Sequence, residues 1–184
     1  MIQRVQAKNG KQLMIGYHTQ EFWEDSQPLT GPIKCVSPTA WLGVGYYFWT
    51  DIEFAHYWGQ DSKKKKTGYY DIYWAHIEEA NLLNACFSED GYFLFRDSID
   101  EVIEHFMRNG LRVSLDEVSR FLADNYWPKM GVTGIIYDDL PQKVVSPGRT
   151  YSVIPPLFYK KRIQIVVFNV KNIANFGLEV EHQQ

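Results

Sequence analysis

Two Ser-x-x-Glu boxes in the middle of the chain constrain its fold more than any other feature. Ser98 with Glu101, and Ser114 with Glu117, each put a hydroxyl at a helix start and a carboxylate three residues on. In that pattern the two side chains satisfy backbone N–H groups that a first helical turn leaves open. The first box opens a helix with Ile99, Val102, Ile103, Phe106 and Met107 as apolar positions, closed by Gly110. The second sets Leu115, Val118, Phe121 and Leu122 along one face. Together they predict a helical pair, an insertion covering about residues 97–128.

Strand-like segments lie on both sides of that pair. Leu13 to Tyr17 is short and apolar, Tyr46 to Trp49 is wholly aromatic, and Tyr69 to Ile77 is rich in aromatic and β-branched residues. Downstream come Gly134 to Tyr137, ended by Asp138 and Asp139, and Ile163 to Phe168, preceded by a stretch holding Pro147, Pro155 and Pro156. Strands that flank helices instead of alternating with them argue for an α+β fold and against a doubly wound sheet. At 184 residues the chain reads as one domain over 1–184, large enough for a real core.

Punctuation between these elements is equally legible. Residues 24–40 carry Pro28, Gly31, Pro32 and Pro38 and read as a long loop, a candidate lid or ligand loop. Asp51 is placed to cap a short helix through Ala55 and Tyr57. Lys63 to Lys66 reads as a solvated surface turn, which at a cleft rim would attract phosphates. The polar tail from Gly177 to Gln184 reads as a docking segment or a frayed end.

Composition narrows the function. A formal charge of −3 and a pI near 5.9 argue against a general nucleic-acid binder. Cys35 and Cys86 are too few for a disulfide scaffold and read as free thiols in a reducing compartment. His56, His76, His105 and His182 show no ligand spacing, so no metal is expected. The opening residues lack the apolar run of a signal peptide, and no window reaches a membrane-spanning length. A cytoplasmic protein with no membrane partner is the expectation. The aromatic fraction, 16%, suits either an aromatic core or a concave site that stacks planar rings.

Three motif positions follow one another in order. His18 and Thr19 end the first strand, Tyr47 lies in Gly43-Val44-Gly45-Tyr46-Tyr47-Phe48, and Gln164 opens the last apolar strand. Tyr57 follows on the next helix, and Gly131-Val132-Thr133-Gly134-Ile135-Ile136-Tyr137 lies between. This series, from residue 12 to residue 173, resembles the ADP-ribosyltransferase superfamily in its His-Tyr-Glu branch, that of diphtheria toxin and the poly(ADP-ribose) polymerases. The Gly131 to Tyr137 run is similar to one in phage-borne and toxin-like members. The chain departs from the pattern twice: Thr19 stands where the family usually has glycine, and Gln164 where it has glutamate.

The resemblance implies two packed, mostly antiparallel sheets with an NAD cleft between them. It implies NAD as co-substrate, His18 on the adenosine-side ribose and the Thr19 backbone on the nicotinamide amide. Tyr47 and Tyr57 would sandwich the nicotinamide ring, and His18, Tyr47 and Gln164 would be the catalytic set. An amide carries no charge and cannot act as a base. Single-unit transfer is therefore expected, with Asp138, Asp139, Glu21 and Asp25 as substitute carboxylates. The implied function is a mono-ADP-ribosyltransferase toxin or effector of a toxin–antitoxin or anti-phage module. Its acceptor would be RNA, DNA or protein, and an antitoxin or immunity protein would neutralise it. The alternatives are NAD glycohydrolysis, and a degenerate module that binds NAD, ADP-ribose or a partner protein without turnover.

Overall fold

The computed structural model describes residues 2–7, 9–138 and 161–183. Among the described residues, eight strands form one hydrogen-bonded sheet: β1 (Arg4–Gln6), β2 (Gln12–Glu21), β3 (Tyr46–Trp49), β4 (Tyr70–Glu78), β5 (Leu82–Asn84), β6 (Gly134–Asp138), β7 (Ile163–Val167) and β8 (Ile173–Gln183). Their order is β5-β6-β7-β3-β2-β4-β8, with β1 on β2, and every pair is antiparallel except β5–β6. The chain is α+β, as its element pattern predicts.

One junction in this sheet is narrow. β2 and β4 pair over nine positions from Leu13↔Glu78 to Glu21↔Tyr70. By contrast, β2 and β3 meet at the single register pair Tyr17↔Trp49. The expectation of two packed sheets is thus corrected to one sheet with a pinched seam. Residues from both halves, Met14 and Ala75 on one side and Phe48 and Ile165 on the other, still share a core.

Among the described residues the α-helices are α1 (Ile52–Trp58), α2 (Lys64–Thr67), α3 (Glu89–Arg108) and α4 (Leu115–Phe121). α3 and α4 bury Phe95, Val102, Phe106 and Val118 against Leu83, Ile135 and Val166 of the sheet. α1 buries Phe54 and Ala55 against Tyr17, Trp49 and Ile72. Since side chains alternate along a strand, Tyr47 with Val166 and Trp49 with Tyr17 all lie on one face, so these helices cover the same side.

Capping explains most helix ends. The Ser114 hydroxyl accepts from Glu117 N–H, as the second box predicts, while the Glu117 carboxylate accepts from that hydroxyl instead of from the Ser114 backbone N–H; such caps are worth about 1 kcal/mol. Asp51 caps α1 by accepting from Glu53 N–H. Gly110, at φ +63°, reverses the chain after α3, with Leu111 N–H on Phe106 C=O and Gly110 N–H on Met107 C=O.

Three expectations are corrected. The first box does not start a helix: α3 begins earlier, capped by Ser88, whose hydroxyl accepts from Gly91 N–H. Ser98 is buried inside α3 and donates to the Leu94 carbonyl, so the helical pair begins at Glu89 rather than near 97. The apolar face, extended upstream by Phe95, overrides the local cap signal. Next, the lysine run is helical: a π-type turn, Gly59–Lys63, leads into α2. Last, the polar tail is strand β8, paired with β4 from Ile77↔Ile173 to Tyr70↔Gln183. No helix among the described residues is long and apolar enough to cross a membrane.

Candidate functional site

The pinched seam carries the first motif. Beyond Tyr17↔Trp49 the two strands part, and His18 Nδ1 lies 2.9 Å from the Tyr47 carbonyl. A carbonyl only accepts, so Nδ1–H is the donor, and the imidazole stands where a ladder amide would stand. Burial pushes the ring's pKa down to about 4, against the Tyr47 hydrogen bond, which raises it; the Lys63 charge lowers it further. The ring is neutral at neutral pH, and its Nε2 is buried without a hydrogen-bond partner among the described residues.

His18 faces away from the other motif side chains. Its strand neighbours Tyr17 and Thr19 point toward α1, where the Thr19 hydroxyl donates to the Ala55 carbonyl at 2.9 Å. The His18 ring lies instead against Phe48 and Phe176, with ring centres at 5.8 and 6.3 Å. Its cross-strand partner is Tyr73. The structure brings His18 to the backbone of Tyr47, not to its ring.

Tyr47 is a fixed wall. Its hydroxyl donates to the Gly43 carbonyl at 2.7 Å and accepts from Leu42 N–H at 3.2 Å, closing the turn before β3. Burial pushes the phenol's pKa up, so it does not serve as a base. The glycines of this turn are steric requirements. A Cβ on Gly45 would sit 2.5 Å from Val166 Cγ2 and 2.9 Å from the Val167 carbonyl oxygen.

Tyr47, Trp49 and Gln164 share the helix-covered face. Tyr47 pairs with Val166 and Trp49 with Gln164, which makes Tyr47 and Gln164 diagonal neighbours, about 7–8 Å apart at the backbone. Tyr57 is half-buried on α1 in the cluster that contains Trp49, its ring 6.0 Å from Phe54. Four of the five motif residues therefore keep to one side of the sheet, Thr19 with its hydroxyl engaged, and His18 does not.

Several residues of this face went unread in the sequence. Trp41 donates its indole N–H to Gln164 Oε1 at 3.1 Å and packs edge-on against Tyr137, centres 5.2 Å apart. The Arg162 guanidinium lies 5.2 Å from the centre of a Trp49 ring. Trp41 directly follows the Pro-rich loop of residues 24–40, whose composition signals a turn and not which residue beside it turns inward. Leu29 of the same loop donates its N–H to the Tyr73 hydroxyl at 3.2 Å on the opposite face.

The substitute carboxylates do not join Gln164. Glu21 pairs with Lys63 at 2.7 Å and Lys66 at 3.1 Å. Burial works to raise its carboxyl, but hydrogen bonds and charge from the two lysines prevail and hold it at about 2. Asp138 lies opposite Ile163, one position from the Tyr137↔Gln164 pair and thus on the other face, 3.6 Å from Lys161. Asp25 is exposed beside the Trp23–Ser26 turn, and Asp139 lies outside the described residues. The same ion pairs take up two lysines of the supposed phosphate-attracting run. Among the described residues no group of three or more His, Cys, Asp or Glu side chains is arranged to hold a metal.

Comparison with known proteins is blank. No protein-family model, no curated protein and no solved structure matches this chain.

Proposed function

We propose that this chain is a mono-ADP-ribosyltransferase that moves one ADP-ribose from NAD to a macromolecule. The observation that carries the reading is the β3–β7 register, which sets Tyr47 and Gln164 diagonally on one face beside the helix of Tyr57. A planar nicotinamide suits such a wall, because aromatic faces stack on rings. In the reaction the bond between nicotinamide and ribose C1′ breaks, its electron pair leaves with nicotinamide, and C1′ becomes oxocarbenium-like. The acceptor nucleophile then bonds to C1′ and releases its proton to solvent. Gln164 contributes hydrogen bonding and no charge, which limits the reaction to an acceptor that needs little activation.

In this reading His18 acts through the backbone. Its Nδ1–H holds the Tyr47 carbonyl and so fixes β3 at the seam. The setting is a toxin or effector of a toxin–antitoxin or anti-phage module, acting on RNA, DNA or protein and restrained by a neutralising partner.

A second reading rests on its own observation. Trp41 already holds Gln164 Oε1, and the described candidate carboxylates lie elsewhere, which favours a module that binds NAD or ADP-ribose without turnover. Label transfer from adenine-labelled NAD into a cell lysate, followed by nuclease and protease digestion, separates the readings. A labelled macromolecule supports the transferase and names its acceptor class. Nicotinamide release without label supports glycohydrolysis, and neither signal supports the binding module.

A further inference from the structure

A groove of about 470 Å³ lies between α3 and the end of α4, apart from the face of Tyr47 and Gln164. Its making is local. α4 widens into a π-type turn, Leu122–Tyr126, a rare form found often at functional sites. The turn sends Leu122 and the following Trp127 into the core while Asn125 and Tyr126 line the groove.

The lining has two kinds of chemistry. One wall is aromatic: the His105 ring lies 5.4 Å from Phe121, and Tyr126 stands beside them. The Tyr126 hydroxyl donates to the Glu101 carboxylate at 2.6 Å, which fixes the ring and engages the one acid of the lining. Two cations, Arg108 and Lys129, also line the groove. Arg108 donates Nε–H to the Glu104 carbonyl at 3.3 Å, with its guanidinium 4.0 Å from that residue's carboxylate. Lys129 is exposed and makes no ion pair with any described residue. With Arg108 matched by Glu104, Lys129 is the surplus cation of the lining, the one that no acid among the described residues pairs with.

We infer that this groove binds a small planar aromatic acid, with its ring against His105, Phe121 and Tyr126 and its anionic group toward Lys129 and Arg108. A volume in this range suits a small ligand. Ring stacking fixes a planar body, and the surplus cation selects an anion over a neutral or cationic ring.

The test uses the full chain and two planar dyes of opposite charge. 8-Anilinonaphthalene-1-sulfonate is titrated by fluorescence, with thioflavin T as the cationic counterpart and near-UV circular dichroism reporting the fold. The expected result is one saturable site for the sulfonate and none for thioflavin T. Lys129→Glu and His105→Ala should each weaken the sulfonate about tenfold, as loss of one charged or stacking contact does. Lys171→Glu, the same charge change on a remote exposed turn, should leave it unchanged. The inference is overturned if the sulfonate binds equally well to Lys129→Glu and His105→Ala with the fold intact. It is also overturned if thioflavin T competes for the same site, or if Lys171→Glu weakens binding as much.

Discussion

Trp41 donates its indole N–H to Gln164 Oε1 across 3.1 Å, and that bond decides what the glutamine offers a ligand. With one lone pair of the oxygen engaged, the amide keeps its NH₂ donor and a single remaining acceptor site. Trp41→Phe keeps the ring and removes the hydrogen bond. It should cost about 1 kcal/mol in urea unfolding, the usual net worth of one such bond.

Gln164→Glu introduces a carboxylate and keeps an acceptor for the indole. If the amide limits the chemistry, nicotinamide release from NAD should rise on the order of a hundredfold, the scale of one transition-state charge interaction. Stability should be unchanged. No rise, together with loss of activity in a folded Asp138→Ala variant, would assign the chemistry to another carboxylate.

Tyr47 separates packing from hydrogen bonding. Tyr47→Phe keeps the stacking face but leaves Leu42 N–H and the Gly43 carbonyl without the hydroxyl they share. The expected outcome is a loss of about 1–3 kcal/mol in stability with NAD turnover retained. Tyr47→Ala should abolish turnover as well. Turnover surviving in Tyr47→Ala would remove this residue from the site.

His18 makes stability depend on pH. Its folded-state pKa is depressed to about 4 from 6.5, so the unfolded chain takes up the proton first as pH falls. Stability is whole above pH 6.5 and is lost progressively down to about 4. Between pH 7 and pH 5 the loss should be about 2 kcal/mol from this group. His56, lowered by its own burial, acts in the same direction. Urea unfolding at the two pH values checks it, and His18→Gln should remove most of the difference.

Gly45→Ala should destabilise by about 1–3 kcal/mol, because the added methyl meets Val166 Cγ2 and the Val167 carbonyl oxygen. A thermal melt within error of the parent would show that β3 and β7 have room to part at that point.

Much of the fold was legible because it depends on neighbours along the chain. The Ser114 box, the Asp51 cap, the Gly110 stop and the runs that became β2, β3, β4, β6 and β7 are set by hydrogen bonds within a turn and by short apolar stretches. The Ser98 box failed for the opposite reason. It sits within a longer apolar face, and burial of Phe95 outweighed one cap. β8 was missed because its polar residues lie on an edge strand, where only pairing with β4 gives them regular structure.

The site divides along the same line. The sequence by itself supplied the motif residues, their order and an amide instead of a carboxylate at Gln164. Only the tertiary structure decided which way they point. β3 is aromatic at every position and buried to some degree on both faces, so no alternation in Tyr-Tyr-Phe-Trp marks one side as the site. Register against β7 put Tyr47 with Gln164, and the single pair at the β2–β3 seam turned His18 the other way. Facing is a property of pairing between distant strands, and a chain read along its own length does not contain it.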